Sequence, residues 1–296
     1  MGVKVEIWTG EVLRGFKRDG GFLNTIPDRS SLVKNSAIHL VDLGADPNIL
    51  VNNTTYPIAT TQASDGDIII GLDKLDTENT GIREDYLFAL SFDAIAEYTE
   101  SHILSLLESM ADRAIHAIAP AGNTTATPII STTGATDGET QARKQITKAD
   151  ILKLKKKFDD NNIPKVGRVL VLCPEHVQQI LAFDELFANQ YQNIREGQIL
   201  RLYGFDIYEY GKMPLYDASN AKKAWGAAAA PTTDRYASVA YYAPRMFKAM
   251  GMPKMFYREA TTDPENRMTT IGFQHRFICM PKKSESIGAI VSVPTA

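Results

Sequence analysis

The chain has 296 residues, 44% of them hydrophobic, with a formal net charge of -3 and two cysteines. That composition builds a real core in one large domain or two ordinary ones; it excludes a disordered chain and gives no global electrostatic pull toward nucleic acid. No apolar run reaches the length of a membrane span and no N-terminal h-region marks export, so the sequons at Asn52, Asn53 and Asn123 carry little weight.

The charge is unevenly spread. Residues 1–36 hold 6 basic and 4 acidic side chains, 37–115 hold 3 and 14, 116–234 hold 14 and 13, and 235–296 hold 9 and 4. An acidic middle between basic ends suits solvated faces, and equally a chain whose ends meet the acidic middle of a neighbour.

Residues 1–36 scatter Trp8, Leu13, Phe16, Phe22 and Leu23 among glycines with no sustained period, so they need a surface to fold on, their own core or a neighbouring subunit. Arg14, Lys17 and Arg18 form a basic cluster there. From 36 to 80, short β-type runs at 37–41, 49–51 and 68–72 predict an extended hairpin with a polar tip. Asp65, Asp67, Asp73 and Asp76 flank its isoleucine run as gatekeeping charges, in a spacing that does not match a calcium-binding loop.

Capping-type residues at 76–80 then precede a threes-and-fours pattern that predicts one helix over 83–119, roughly 55 Å long, a spine crossing the molecule. His102 and His116 lie too far apart along it to share a metal. Residues 121–140 read as a loop or a small hairpin about Ile129 and Ile130. Thr147 caps a basic amphipathic helix over 148–161, whose lysines read as a solvated face before a nucleic-acid contact.

The most legible stretch is 167–215, a strand, helix, strand unit. Its first strand is Arg168 to Leu172, Pro174 opens the helix, and a second strand runs from Gly197 through Ile199, Leu202, a bend at Gly204, Phe205 and Tyr208. Residues 217–234 show no packing pattern and read as an exposed, mobile loop. A strand follows at 236–243, then a short helix from Pro244 to Gly251, β-type runs at 256–258 and 268–280, and a last strand over 287–293 completing the sheet. In the longer run Ile271, Phe273, His275 and Phe277 share one face. Cys173 and Cys279 read as small buried hydrophobes.

Nucleophile-elbow, dinucleotide, phosphate-loop, zinc-protease and paired CxxC motifs are all missing from the sequence, so no catalytic residue, metal site or cofactor is expected. The runs LDKLDTENTGIREDYL (72–87), GRVLVLCPEHVQQIL (167–181), GQILRLYGFDIY (197–208) and Met213-Pro214, set in an order of loose N-terminal segment, extended loop, spine helix, α/β unit and β-rich return that covers nearly the whole chain, resemble the major capsid proteins of tailed bacteriophages with the Hong Kong 97 fold.

The resemblance implies an α+β subunit with an N-terminal arm (1–36), an extended E-loop (37–80), a peripheral domain of spine helix and β return (81–120 and 236–296) and an axial domain (121–235). It implies a shell protein that forms pentamers and hexamers around packaged double-stranded DNA, located in the virion head and assembled in the host bacterial cytoplasm. Portal, separate scaffolding and decoration proteins would be its partners, and a membrane would not. An encapsulin-like compartment shell around protein cargo is the closest rival, and a soluble α+β enzyme a third reading. Arg14, Lys17, Arg18, Asp65, Asp67, Asp73, Asp76 and Glu78 are the candidate intersubunit contacts. Deleting 1–36 is expected to impair assembly more than folding. Covalent cross-linking through an E-loop lysine is not expected, because the first lysine after residue 36 is Lys74. The arm spans under 40 residues, which, with Met1 as the native start, implies that scaffolding is a separate protein or unnecessary.

Overall fold

The computed structural model describes residues 21–34, 37–42, 66–83, 93–137, 143–182, 192–193, 198–199, 201–230, 232–263 and 265–294. In chain order the elements are β1 (Ala37–Asp42), β2 (Gly66–Gly71), β3 (Asp73–Asp76), β4 (Thr80–Arg83), α1 (Asp93–Ile118), β5 (Ile129–Ser131), α2 (Lys148–Asp160), β6 (Arg168–Leu172) and α3 (Pro174–Leu181). They continue as β7 (Gln192–Asn193), β8 (Gln198–Ile199), β9 (Arg201–Leu202), β10 (Phe205–Glu209), β11 (Leu215–Tyr216), β12 (Arg235–Tyr242), β13 (Met246–Met250), β14 (Lys254–Arg258), β15 (Met268–Pro281) and β16 (Ile287–Val291).

A seven-stranded sheet is ordered β5-β16-β12-β6-β10-β9, with β11 on β12. Strand β6, RVLVL, is buried at every position because both faces of the sheet are covered. Val169 and Val171 pack in the cluster that includes α1, while Leu170 and Leu172 pack with Ile151, Leu154 and Phe158 of α2 and Ile180 of α3. The predicted strand, helix, strand unit is present: β10 lies parallel to β6, and Pro174 occupies the first turn of α3. Its second strand is not continuous. Tyr203 and Gly204 both take positive φ (47° and 88°), which turns β9 back on β10 as a two-residue hairpin.

In the second sheet β15 is central. Strands β13 and β14 pair along one edge, β3 and β4 along the other. The predicted alternation holds, with Ile271, Phe273, His275 and Phe277 buried. Burial brings the His275 pKa down to about 4. Helix α1 joins the two sheets, since Leu106, Met110, Ala114 and Ile118 share one core with Val169 and Val239 of the first sheet and Ile271 and Phe273 of the second. Strands β1 and β2 pair antiparallel, Ala37 opposite Gly71, as the base of the expected hairpin; the run at 49–51 lies outside the described residues.

Several expectations need correction. Residues 80–83 are a strand on β15, so the helix does not run from Arg83; the described helix α1, 26 residues, extends about 39 Å. The polar residues 76–80 that read as caps form the connection between β3 and β4, where the Phe273 amide donates to Thr77 Oγ1. Ile129 and Ile130 form no hairpin; they run parallel to β16. Pro244 starts only a single 3-10 turn (Ala243–Arg245), after which Met246, Phe247 and Ala249 are drawn into β13 by burial. The β return is shared out: β13, β14 and β15 build the five-stranded sheet, whereas β12 and β16 lie in the sheet of β6 and β10.

The segment 217–234 is anchored, contrary to expectation. Lys222 Nζ donates to the carbonyls of His116 (3.0 Å) and Ala119 (2.7 Å), satisfying orphan acceptors at the C-terminus of α1. Lys223 pairs with Asp234 at 2.5 Å. Trp225 lies edge-on to His116 and beneath the Arg113 guanidinium. Long lysine stems supply this attachment, so apolar periodicity gave no sign of it.

Candidate intersubunit surfaces

Of the residues expected at subunit contacts, Arg14, Lys17, Arg18 and Asp65 lie outside the described residues. Asp67 sits on β2 opposite Val41. Asp73 accepts from Arg113 of α1 at 2.7 Å. Asp76 accepts from Lys74 (2.7 Å) and from Gln274 Nε2 (2.8 Å), and those hydrogen bonds, the lysine's first, hold its carboxyl below the usual range. Two of the acids are thus engaged within their own subunit. Glu78 is exposed on the rim of a groove.

That groove, of about 490 Å³, runs between the β3–β4 connection and the N-terminal half of α1. Tyr98, Ser101, His102 and Ser105 line it from the helix, Asp76, Glu78 and Thr80 from the strands. His102 Nε2 is 2.9 Å from Thr80 Oγ1 and its ring lies 5.4 Å from that of Phe273. Partial burial lowers its pKa. Tyr98 (44% exposed) and, further along α1, Leu104 (59%) add apolar surface beside Glu100 and Glu108.

The opposite edge of the same sheet is β14. Met255 and Tyr257 pack against the core, so Lys254, Phe256 and Arg258 point outward, with Phe256 54% exposed and Met252 before it 77% exposed. Arg258 is held by Asp263 at 2.6 Å.

One polar constellation is buried. His176 is enclosed, with Nδ1 2.7 Å from Ser238 Oγ and Nε2 2.8 Å from Ser292 Oγ, while the Cys173 amide donates to Ser238 Oγ at 3.1 Å. Burial, reinforced by the nearby Arg143 charge, takes the imidazole pKa down to about 3, and burial takes the Cys173 thiol up to about 12. With Ser238 and Ser292 buried as well, this triad of side chains ties α3 to β12 and β16 and presents no nucleophile to solvent. Sequence reading missed it because the partners lie 62 and 116 residues from His176.

Among the described residues, no group of three or more His, Cys, Asp or Glu side chains could hold a metal, and no helix is long and apolar enough to cross a membrane.

A family model described as phage capsid protein matches residues 82–292. No curated protein sequence matches the chain. The fold is similar to a solved structure from Mycobacterium phage Che8 (TM-score 0.62, 14% identity, covering 92% of this chain and 91% of that one). It is also similar to the capsid of the cyanophage P-SCSP1u (0.62, 15%, 93% and 88%) and to the capsid of an empty GTA particle (0.65, 11%, 94% and 91%). At such identities these structures speak for the fold, and the family model adds the lineage, so the chain belongs to the phage capsid protein family, as a major capsid protein that builds a virion head shell.

Proposed function

We propose that copies of this chain assemble as the pentamers and hexamers of an icosahedral head enclosing the double-stranded DNA of a tailed phage. The observation that carries this reading is the capsid family match across 82–292, on a fold that displays strand edges and an open groove. In this reading the role is structural, β1 and β2 are the base of the E-loop, and α1 with β3, β4, β13, β14 and β15 forms the peripheral body. The seven-stranded sheet with α2 and α3 forms the axial body. The acidic stretch 37–115, with 14 acidic and 3 basic residues, lies against the basic termini of neighbours, and many weak repeated contacts hold the shell. Packaged DNA is held by proximity alone. Portal, separate scaffolding and decoration proteins complete the head, which is assembled in the host bacterial cytoplasm.

Electron microscopy of particles from the producing host, with a nuclease-protection assay, tests the proposal. Icosahedral shells with pentameric and hexameric capsomers around protected DNA are expected. Shells filled only with protein cargo would point to an encapsulin-like compartment, and a monomer at every concentration would rule out both shells.

A further inference from the structure

The five-stranded sheet carries unlike surfaces on its two edges. One edge, formed by β3 and β4, borders the groove lined by Tyr98, by Asp76 with its ion-pair partner Lys74, and by Glu78, which leaves the rim net negative. The other, β14, carries Lys254 and the exposed Phe256, with Met252 just ahead of it. Among the described residues no strand pairs with the outer side of β14, β3 or β4. An unpaired edge is a template for another chain, and an exposed aromatic next to a lysine matches an open groove with a tyrosine wall and an acidic rim.

The geometry points to a head-to-tail contact in which the β14 edge of one copy enters the groove beside β3 and β4 of the next, Phe256 against Tyr98 and Lys254 toward Glu78. The occupant is a second copy, because both halves of the match sit on this chain and carry opposite charge. A contact between two different patches of identical subunits is heterologous, and it closes into a ring when the rotation allows, which is what a capsomer requires. The inference rests on the shell reading and specifies one of its joints.

Cysteine pairing reads this out directly. Cys173 and Cys279 are buried, so they do not compete. In shells first verified by microscopy, the double variant Glu78→Cys with Lys254→Cys should give, on mild oxidation, a ladder of cross-linked species up to pentamers and hexamers, while each single variant stays monomeric on a denaturing gel. Cross-linking of Lys254→Cys alone would mean a two-fold contact and overturn the proposal, as would intact double-variant shells with no ladder. Should the variants fail to assemble, the charge exchange Lys254→Glu with Glu78→Lys decides: each single change should lower assembly yield at least tenfold and the pair restore it, and no rescue would overturn the contact. If unmodified protein forms no shells, it is the shell reading that fails, a result separable from either outcome above.

Discussion

The rings of Phe22 and Tyr210 meet edge to face with centroids 5.4 Å apart, and Tyr210 in turn donates to Asp112 of α1 at 2.5 Å. The start of the described chain is therefore built into its own subunit. Phe22, Leu23 and Ile26 are buried in the central core, the Tyr241 hydroxyl donates to the Phe22 carbonyl at 3.1 Å, and Lys248 Nζ donates to that of Leu23 at 2.7 Å. This changes the expectation for a deletion of 1–36. Removing three buried side chains forfeits roughly 1.5–3 kcal/mol each, a large part of a typical total of about 5–15 kcal/mol. Deleting 1–36 should therefore abolish cooperative thermal unfolding. Circular dichroism melts of the truncation check this, and a stably folded protein without 1–36 would contradict it.

Stability should fall on acidification. His176 ionises in the unfolded chain near its ordinary value of about 6.5 but is held to about 3 when folded, and His275 to about 4. Below pH 6.5 the unfolded state therefore binds protons that the native state refuses. The contribution is complete above that pH and declines as pH drops toward the folded values, by about 1.4 kcal/mol per pH unit for each group. Urea unfolding between pH 7 and 4 should show this decline. His176→Gln, whose amide can still bond Ser238 and Ser292, should lower stability at pH 7 yet flatten the slope by about half; an unchanged slope would remove His176 from the account.

How much of this was legible in the sequence follows from the physics of each segment. Strand β6 and helix α3 stood out because a doubly covered strand writes a continuous apolar run and Pro174 writes a helix start. The buried face of β15 was readable from its alternation. The β4 strand was not, because TGIR is short and its polar neighbours cap a helix as plausibly as they cross between two strands. Of the candidate contacts, Asp73 read as a free charge, since its partner Arg113 lies 40 residues away in sequence, while Asp76 pairs with Lys74 two residues before it and with Gln274, 198 residues away. The groove was invisible for the same reason: its walls come from the β3–β4 connection and α1, brought together only by β15.

Lys222 should be the pin that holds 217–234. Its ammonium satisfies carbonyls of His116 and Ala119, where the dipole of α1 is negative, and burial lowers its pKa. Lys222→Met keeps the stem and loses both hydrogen bonds, at a cost of about 1–3 kcal/mol. Limited proteolysis should then cut within 217–234 at least tenfold faster than in the parent, while hydrogen exchange in β6 stays unchanged. Equal cleavage rates would mean that Lys223–Asp234 suffices to hold the segment.

The last prediction concerns Gly272, which sits on the outward side of β15 opposite Phe256 and is nonetheless buried. A Cβ built there would overlap Oδ1 of Asn79, in the connection between β3 and β4. The obstructing atom is the free end of an exposed side chain, and the nearest backbone atom, the Asn79 Cα, is 4.0 Å away, an ordinary contact distance. Gly272→Ala should therefore turn the Asn79 side chain aside and leave the β3–β4 connection in place, at a cost below the roughly 1–3 kcal/mol of overpacking. Chemical denaturation of the parent, Gly272→Ala, Asn79→Gly and the double variant measures this, and near-additive changes are expected. A loss of about 1–3 kcal/mol in Gly272→Ala that Asn79→Gly relieves would show instead that the Asn79 side chain has nowhere to turn.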